Sequence, residues 1–463
     1  MKKFILLLSF PLFLYSYTIN FEGALNKTLE NNKGLKAKKL EVEKSKLALE
    51  EAKGYDYGAF VFNENIVRTN HAGYVFGMKL SSREASFAAF GFNEFLAQMP
   101  ALMGGVPGAN EATLAIEPND LNYPDARTNY ETKVTYQVPI FTGFKLDSAK
   151  TMAKLQTLAQ AAKYTYDEKT LGLEVLKAYN GAVASKEFIK ATQKAKEATS
   201  SFLEFANELY KEGLVTSIDV KQATVYDMDV DSKMIEAQNR YELALSYLKF
   251  LTSDYEITDV SDFKTIKNET APLEKLHTSA LEKRDDLHWM KYNTQTLKSK
   301  IDFDSSDIYP TIGAQVEYGH NNDEFDFADF KDKDYYLGAI GVSYKIFDGG
   351  VTSKKAQQSK IAYNQIVNNF EYMKDGIKLE IEKNFLTLKT KEKVLDQKIK
   401  AQSLSDEVLE QSSEMYKNHL INMSNLLMQQ ANQQKASAET IMAKYEKSLS
   451  AAKLKISLGE SLK

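Results

Sequence analysis

Between Tyr130 and Ile140 the chain alternates with a period of two. Tyr130, Val134, Tyr136, Val138 and Ile140 fall on one side, and Glu131, Lys133, Thr135, Gln137 and Pro139 on the other. Such alternation marks a strand with one apolar and one wet face. It recurs from Tyr336 to Ile346, with Gly, Ala and Ser on the second face, and again from Thr311 to Tyr318; a poorer fourth strand is expected within Tyr57 to Thr69. About ten residues at this period suit a tilted strand crossing an outer membrane. Tyr123, Tyr130, Phe141, Tyr309, Tyr335, Tyr336 and Phe347 cluster near the strand ends, as interfacial girdles do. A soluble antiparallel sheet is the alternative reading of the pattern.

The remaining pattern is helical. Ile366, Phe370, Met373, Ile377, Ile381, Phe385 and Leu388 recur at a helix period. Proline is absent between Ile140 and Ala271 and after Pro310, and both tracts are rich in Ala, Leu, Glu, Lys and Gln. Long helices are therefore predicted over 143–212 and 351–418, each about 100 Å at 1.5 Å per residue. Turns follow at Glu212 to Ser217 and Asn418 to Met423, then helices over 216–252 and 423–459. Gly213 suits the left-handed position that ends a helix, and Thr216 or Ser217 can cap the next one. Further helices are expected at Phe21 to Lys53 and over 272–302, strands at 309–320 and 335–347, and a polar connector of little regular structure at Ser253 to Thr270.

These elements occur twice. Tyr136 to Gly143 recurs as Val342 to Gly349, so Phe141 corresponds to Phe347, an offset of 206 that persists to Tyr210/Tyr416 and Leu214/Leu420. A unit of this length is no solenoid module and points to two equivalent halves of one body, residues 18–262 and 263–463. The first half alone carries a long insert, about 72–126, with four prolines and the cluster Gly104-Gly105-Val106-Pro107-Gly108. It has no counterpart in the second half, where the loop from His320 to Asp334 is short and acidic, with Asp323, Glu324, Asp326, Asp329, Asp332 and Asp334.

Composition narrows the function. Lys2-Lys3 followed by the apolar run Phe4 to Leu14 and a small residue at Ser16 reads as a secretory leader over 1–17. The formal net charge of −4 offers no basic field for nucleic acid. Cysteine is absent, which excludes disulfides, thiolate metal sites and a cysteine nucleophile. His71, His277, His288, His320 and His419 form no spaced metal pair, and Asp302 to Asp307 lacks the glycine and glutamate of a calcium loop. No cofactor, metal site or catalytic set is expected.

Two copies of strand, strand, very long helix, turn and helix, after a leader and an N-terminal helix, resemble the TolC family of outer-membrane efflux channels. Its most specific pieces are Pro139-Ile-Phe-Thr-Gly143 and Lys345-Ile-Phe-Asp-Gly-Gly350, Gly213-Leu-Val-Thr-Ser-Ile-Asp-Val220, and Arg284-Asp-Asp-Leu287, where Asp285 stands in place of the family's proline. The resemblance implies a mainly α fold of mixed α and β type. By the same resemblance, two repeats of long antiparallel helical hairpins would form a periplasmic α-barrel, and four strands per chain would join a homotrimeric twelve-stranded β-barrel in outer-membrane lipid of a Gram-negative bacterium. It implies a passive channel of a tripartite efflux or type I secretion system, partnered by a periplasmic adaptor (a membrane fusion protein) and an inner-membrane RND or ABC pump. It also places the strand-to-helix junctions at Phe141, Gly143, Phe347 and Gly349.

In the family the tunnel narrows near the helical turns, in several members through carboxylates on the final helix. The matching positions here are Asn425 and Met428, while Asp219 is the acidic counterpart in the first copy. With Tyr210 and Tyr416 these are the pore-gate candidates. Gly213, Leu214, Val215 and Thr216, and His419, Leu420, Ile421 and Asn422, are the expected adaptor contacts. An adaptor with its own helical hairpin is the alternative, although that would need one hairpin rather than two in tandem.

Overall fold

A computed structural model describes residues 17–267, 271–325 and 332–463. The expected leader, apart from Tyr17, lies outside the described residues, as do Asp326 and Asp329 of the acidic loop. In chain order the elements are β1 (Tyr17–Ile19), α1 (Phe21–Asn31), α2 (Lys33–Gly54), β2 (Ala59–Thr69), α3 (Ala72–Ser81), α4 (Phe92–Met103), α5 (Ala109–Leu114), α6 (Asn119–Asn122) and β3 (Arg127–Phe141). There follow α7 (Lys145–Lys211), α8 (Ser217–Thr252), β4 (Ile257–Val260), α9 (Leu273–Lys283), α10 (Asp285–Ser305), β5 (Thr311–Asn322), β6 (Asp334–Ser343), α11 (Val351–Lys417) and α12 (Met423–Ser457). The fold is mainly helical, with four of the strands in one antiparallel sheet.

The duplication is written into the backbone. Helices α7 and α11 are each 67 residues long and begin 206 residues apart, at Lys145 and Val351. The left-handed residues fall in pairs at the same offset: Gly143 with Gly349, Phe144 with Gly350, Gly213 with His419, and Ser253 with Gly459. Earlier elements pair at 252, Phe21 with Leu273, Lys33 with Asp285 and Ala59 with Thr311. The first copy is thus 46 residues longer in its β2 to β3 connection, and those residues fold into α3 to α6.

The chain divides into two compact units. The first takes the described residues up to 46, with 155–295 and 364–463. Its core gathers Phe21, Leu25, Val175, Leu176, Tyr179, Leu248, Ile257, Ile381 and Leu454, and the stripe on α11 faces it through Ile377, Ile381 and Leu388, with Phe370, Met373 and Phe385 packed alongside. Burial of so many large side chains, each contributing about 1.5–3 kcal/mol, is what holds long helices that are otherwise rich in polar residues.

Three expectations for this unit change. The segment after α8 carries a short strand, β4, which pairs in parallel with β1 (Tyr17 with Ile257, Ile19 with Val260). The helix expected at Phe21 to Lys53 breaks at Asn32, whose side chain donates to the Leu251 carbonyl (3.0 Å) and accepts from the Leu35 amide (3.0 Å), drawing the backbone out of the helical region (ψ 119°). The helix expected over 272–302 breaks at the equivalent Arg284 (ψ 123°). There the buried guanidinium donates to both carboxylate oxygens of Asp286 (3.0 and 2.7 Å), to Glu380 (2.8 Å) and to the Ser457 carbonyl (3.0 Å). Burial works against its charge, but Asp286 and then Glu380 hold its pKa above the ordinary value.

The second unit, residues 47–154 and 296–363, holds the sheet in the order β2-β3-β5-β6. The last strand, expected to run to 347, ends at Ser343, because its partner β5 begins at Thr311 and offers no backbone beyond that pair. Gly143 closes the turn from β3 into α7 with φ 63°, and a Cβ there would lie 2.5 Å from the Ser306 carbonyl oxygen. Glycine is required on both counts.

Candidate functional site: the two-faced sheet and the helical turns

Antiparallel register places the even residues of each strand on one face. Across β2, β3, β5 and β6 they form rows: Phe60, Tyr136, Val316 and Gly338; then Phe62, Val134, Tyr318 and Tyr336; with Val138, Ala314 and Ile340 on the other flank. This face is bare. Phe60 is 76% exposed, Phe62 65%, Val316 56%, Tyr336 87% and Ile340 73%. The next row, Glu64, Thr132, His320 and Asp334, is polar and interrupts the apolar face, with Ile66 opposite Tyr130 beyond it. Thr132 donates to Glu64, and the Tyr318 hydroxyl reaches Asp334 at 3.0 Å.

The odd residues form a connected polar face. Thr135 donates to Glu317 (3.1 Å), Tyr335 donates to Glu317 (2.9 Å) and Glu131 (3.1 Å), Asn65 donates to Glu131 (2.9 Å), and Asn129 bonds Asn321 (3.0 Å). Lys133 lies 3.3 Å from Glu131 and 3.7 Å from Glu317. Along the rows from Phe60 to Tyr336, charge of both signs is confined to the face opposite the aromatic and aliphatic one. The sequence showed the alternation, but the cross-strand partners of Glu317 and Tyr335 depend on register, which pattern alone does not supply.

At the junctions, Phe144 stands edge-on to both Phe141 (5.2 Å) and Tyr309 (5.5 Å), while Phe347 is exposed and Gly349 takes φ 68° with open space around it. Asp348 receives the amides of Gly350 (2.9 Å) and Thr352 (2.8 Å) together with the Thr352 hydroxyl. These bonds to its charged form pull its pKa down to about 2.

The two helical turns share one geometry. Leu214 N–H returns to the Leu209 carbonyl and Leu420 N–H to the Met415 carbonyl, both at 2.9 Å, around left-handed Gly213 (φ 70°) and His419 (φ 57°). This is the bond pattern of a Schellman stop. The next helices begin differently: Asp219 accepts from the Thr216 amide (2.9 Å) and hydroxyl (2.7 Å), whereas Asn422 itself accepts from the Asn425 amide (2.9 Å). Between them lies a small core of Ala206, Leu209, Ala223, Tyr416, Met423, Leu426 and Leu427, with Val215 and Ile421 packed against it. Of the gate candidates, Tyr210 and Met428 are about half exposed, Asn425 is exposed, Asp219 is partly exposed and Tyr416 is buried. The Tyr416 ring meets Phe205 edge-on at 5.9 Å, and burial, then the Asp219 charge, raise its pKa. Gly213, Leu214, Thr216, His419, Leu420 and Asn422 lie at the surface, the two leucines among the exposed large apolar side chains.

Among the described residues no cluster of His, Asp or Glu is arranged to hold a metal, and no helix is long and apolar enough to cross a membrane. Residues 110–253 match the family described as outer membrane efflux protein. The outer membrane protein TolC of Escherichia coli (strain K12) is 22% identical over 215 residues, which span 43% of this chain and 43% of that protein, less than half the length of each. The Campylobacter jejuni CmeC outer membrane channel superposes with a TM-score of 0.77 at 14% identity, covering 95% of this chain and 85% of that one. The outer membrane protein VceC of Vibrio cholerae does so with a TM-score of 0.75 at 12% identity, covering 96% and 97%. The chain is thus a relative of the outer membrane efflux proteins in sequence over residues 110–253, and across nearly its whole length it has the TolC-like channel fold.

Proposed function

We propose that three copies of this chain close their sheets into one twelve-stranded barrel in the outer membrane of a Gram-negative bacterium. Their helices form a periplasmic tube, and the whole is a passive duct. Substrate enters from an inner-membrane pump through a periplasmic adaptor and leaves through the barrel; no bond is made or broken. The observation that carries this is the four-stranded sheet with an exposed apolar face and two edges, β2 and β6, that are unpaired among the described residues. In lipid each unpaired backbone group costs several kcal/mol, so the edges must find partners on other copies. Exposed apolar residues along α8 (Ile218, Val225, Met228, Ile235) and α11 (Tyr372, Leu379, Leu386) give the helices faces that also need neighbours. The family match over residues 110–253 and the likeness to outer membrane channels support the same reading. Adaptor contact then falls on the exposed turns at Gly213 to Thr216 and His419 to Asn422, and the gate on the nearby Tyr210, Asp219, Tyr416, Asn425 and Met428.

Because the chain has no cysteine, edge pairing is directly testable. Single cysteines placed along β2 (Val61, Asn63, Asn65) are combined with single cysteines along β6 (Leu337, Ala339, Gly341) and oxidised in outer-membrane fractions. A covalent trimer from some pairs is expected, together with conductance in planar bilayers. A chain that stays monomeric and extracts without detergent sinks the proposal and favours a soluble adaptor-like protein.

A further inference from the structure

The 46-residue excess between β2 and β3 is a folded piece. It buries Val75, Met78, Ala89 and Ala109, packs Phe76 edge-on to Phe90 (5.4 Å) and Phe87 to Phe92 (4.6 Å), and pins Lys79 to Asp120 (2.6 Å). Its attachment to the sheet has a direction. Glu84, just past α3, pairs with both Arg127 and Lys333. Ser82 accepts from Arg127 (3.0 Å), Arg83 donates to the Asp334 carbonyl (2.7 Å), Asp323 lies 3.5 Å from Arg127, and Lys333 also donates to Asn322 (2.7 Å).

Arg127, opposite Thr69, precedes Asn129 by two positions, and Lys333, whose carbonyl accepts from the Asn321 amide, precedes Tyr335 by two, so both continue the polar face. An insert bound to the apolar face would lie in lipid; this one is drawn to the wet side, at the end of the strands beyond the apolar band. The basic side chains are well shielded, with Arg127 15% and Lys333 16% exposed. Burial would raise the Glu84 pKa, yet Lys333 and Arg127 hold it below the ordinary value, so the carboxylate stays charged between them.

Resting on the duct reading, in which the wet face lines the lumen, we propose that residues 72–126 form a lid over the outer mouth of the barrel, latched by Glu84 between Arg127 and Lys333. Access from outside is then limited by this lid, independently of any gate at the helical turns.

The test uses the full chain in intact cells, with one cysteine at Gln137 on the wet face and, as control, one at Val316 on the apolar face. A bulky poly(ethylene glycol) maleimide is added outside. With the native insert, Gln137→Cys reacts slowly; in Glu84→Gln, and in a second variant with residues 85–117 replaced by a short Gly-Ser linker, it reacts about tenfold faster, as loss of charge-assisted bonds implies. The Val316→Cys control stays unchanged. Equal rates in all three backgrounds, with trimers present, overturn the lid and leave the duct standing. A Gln137→Cys that never reacts, even without the insert, overturns both.

Discussion

At the level of single residues, equivalent positions in the two copies bear unequal constraints. Gly143 and Gly349 share a left-handed backbone, but only at Gly143 would an added methyl group lie 2.5 Å from a carbonyl oxygen, so Gly143→Ala strains the turn and collides with Ser306. Gly349→Ala is expected to cost only the backbone preference, about 1–2 kcal/mol. Comparing the melting temperatures of the two purified variants checks this, and the Gly143 change must be the more damaging. Arg284→Ala leaves Asp286 shielded from water without its partner, a loss of about 3–5 kcal/mol read in the same assay. Arg284 was visible in the sequence as part of a motif. Its work was not, because Glu380 and Ser457 lie 96 and 173 positions away and only folding brings them to it. Asp219 illustrates the converse: its spacing from Thr216 is that of a capping box, and the local bond is there whether or not the carboxylate also faces a pore.

Elements were legible where one physical demand acts along many residues. Period-two strands follow from a sheet that is greasy on one side, and two 67-residue helices follow from long stretches without proline. Short elements were not: β4 has four residues held by pairing with β1, and α3 to α6 carry too few turns for a clear period. The face assignment predicts opposite outcomes for neighbours on β5. If the exposed apolar face meets lipid as proposed, Val316→Lys puts a charge there and is expected to cost about 2–4 kcal/mol and abolish the proposed trimer, whereas Gln315→Lys is tolerated. Heat-stable oligomer on gels after outer-membrane extraction reads both. Helix pairing carries a pH signature as well. Burial would raise the Asp227 pKa on α8, but Lys196 (2.8 Å) and then Thr199 (3.0 Å) on α7 hold it below the usual 3.8. A depressed pKa stabilises the folded state above the unfolded value and loses that increment as pH falls below it. Acid should therefore weaken the wild type more than Asp227→Asn below about pH 4, as followed by circular dichroism.

For the molecule as a whole, the constant offset between the copies has a consequence at the helical tips. Glu212 and Asp219 of the first tip correspond to Asn418 and Asn425 of the second, while the two long helices are equal in length. In the proposed trimer six tips would alternate, one with Glu212 and Asp219 and the next with Asn418 and Asn425 at those positions. On the proposed duct reading, a docking protein would tell neighbouring pegs apart by charge, and salt would then weaken its choice of seat.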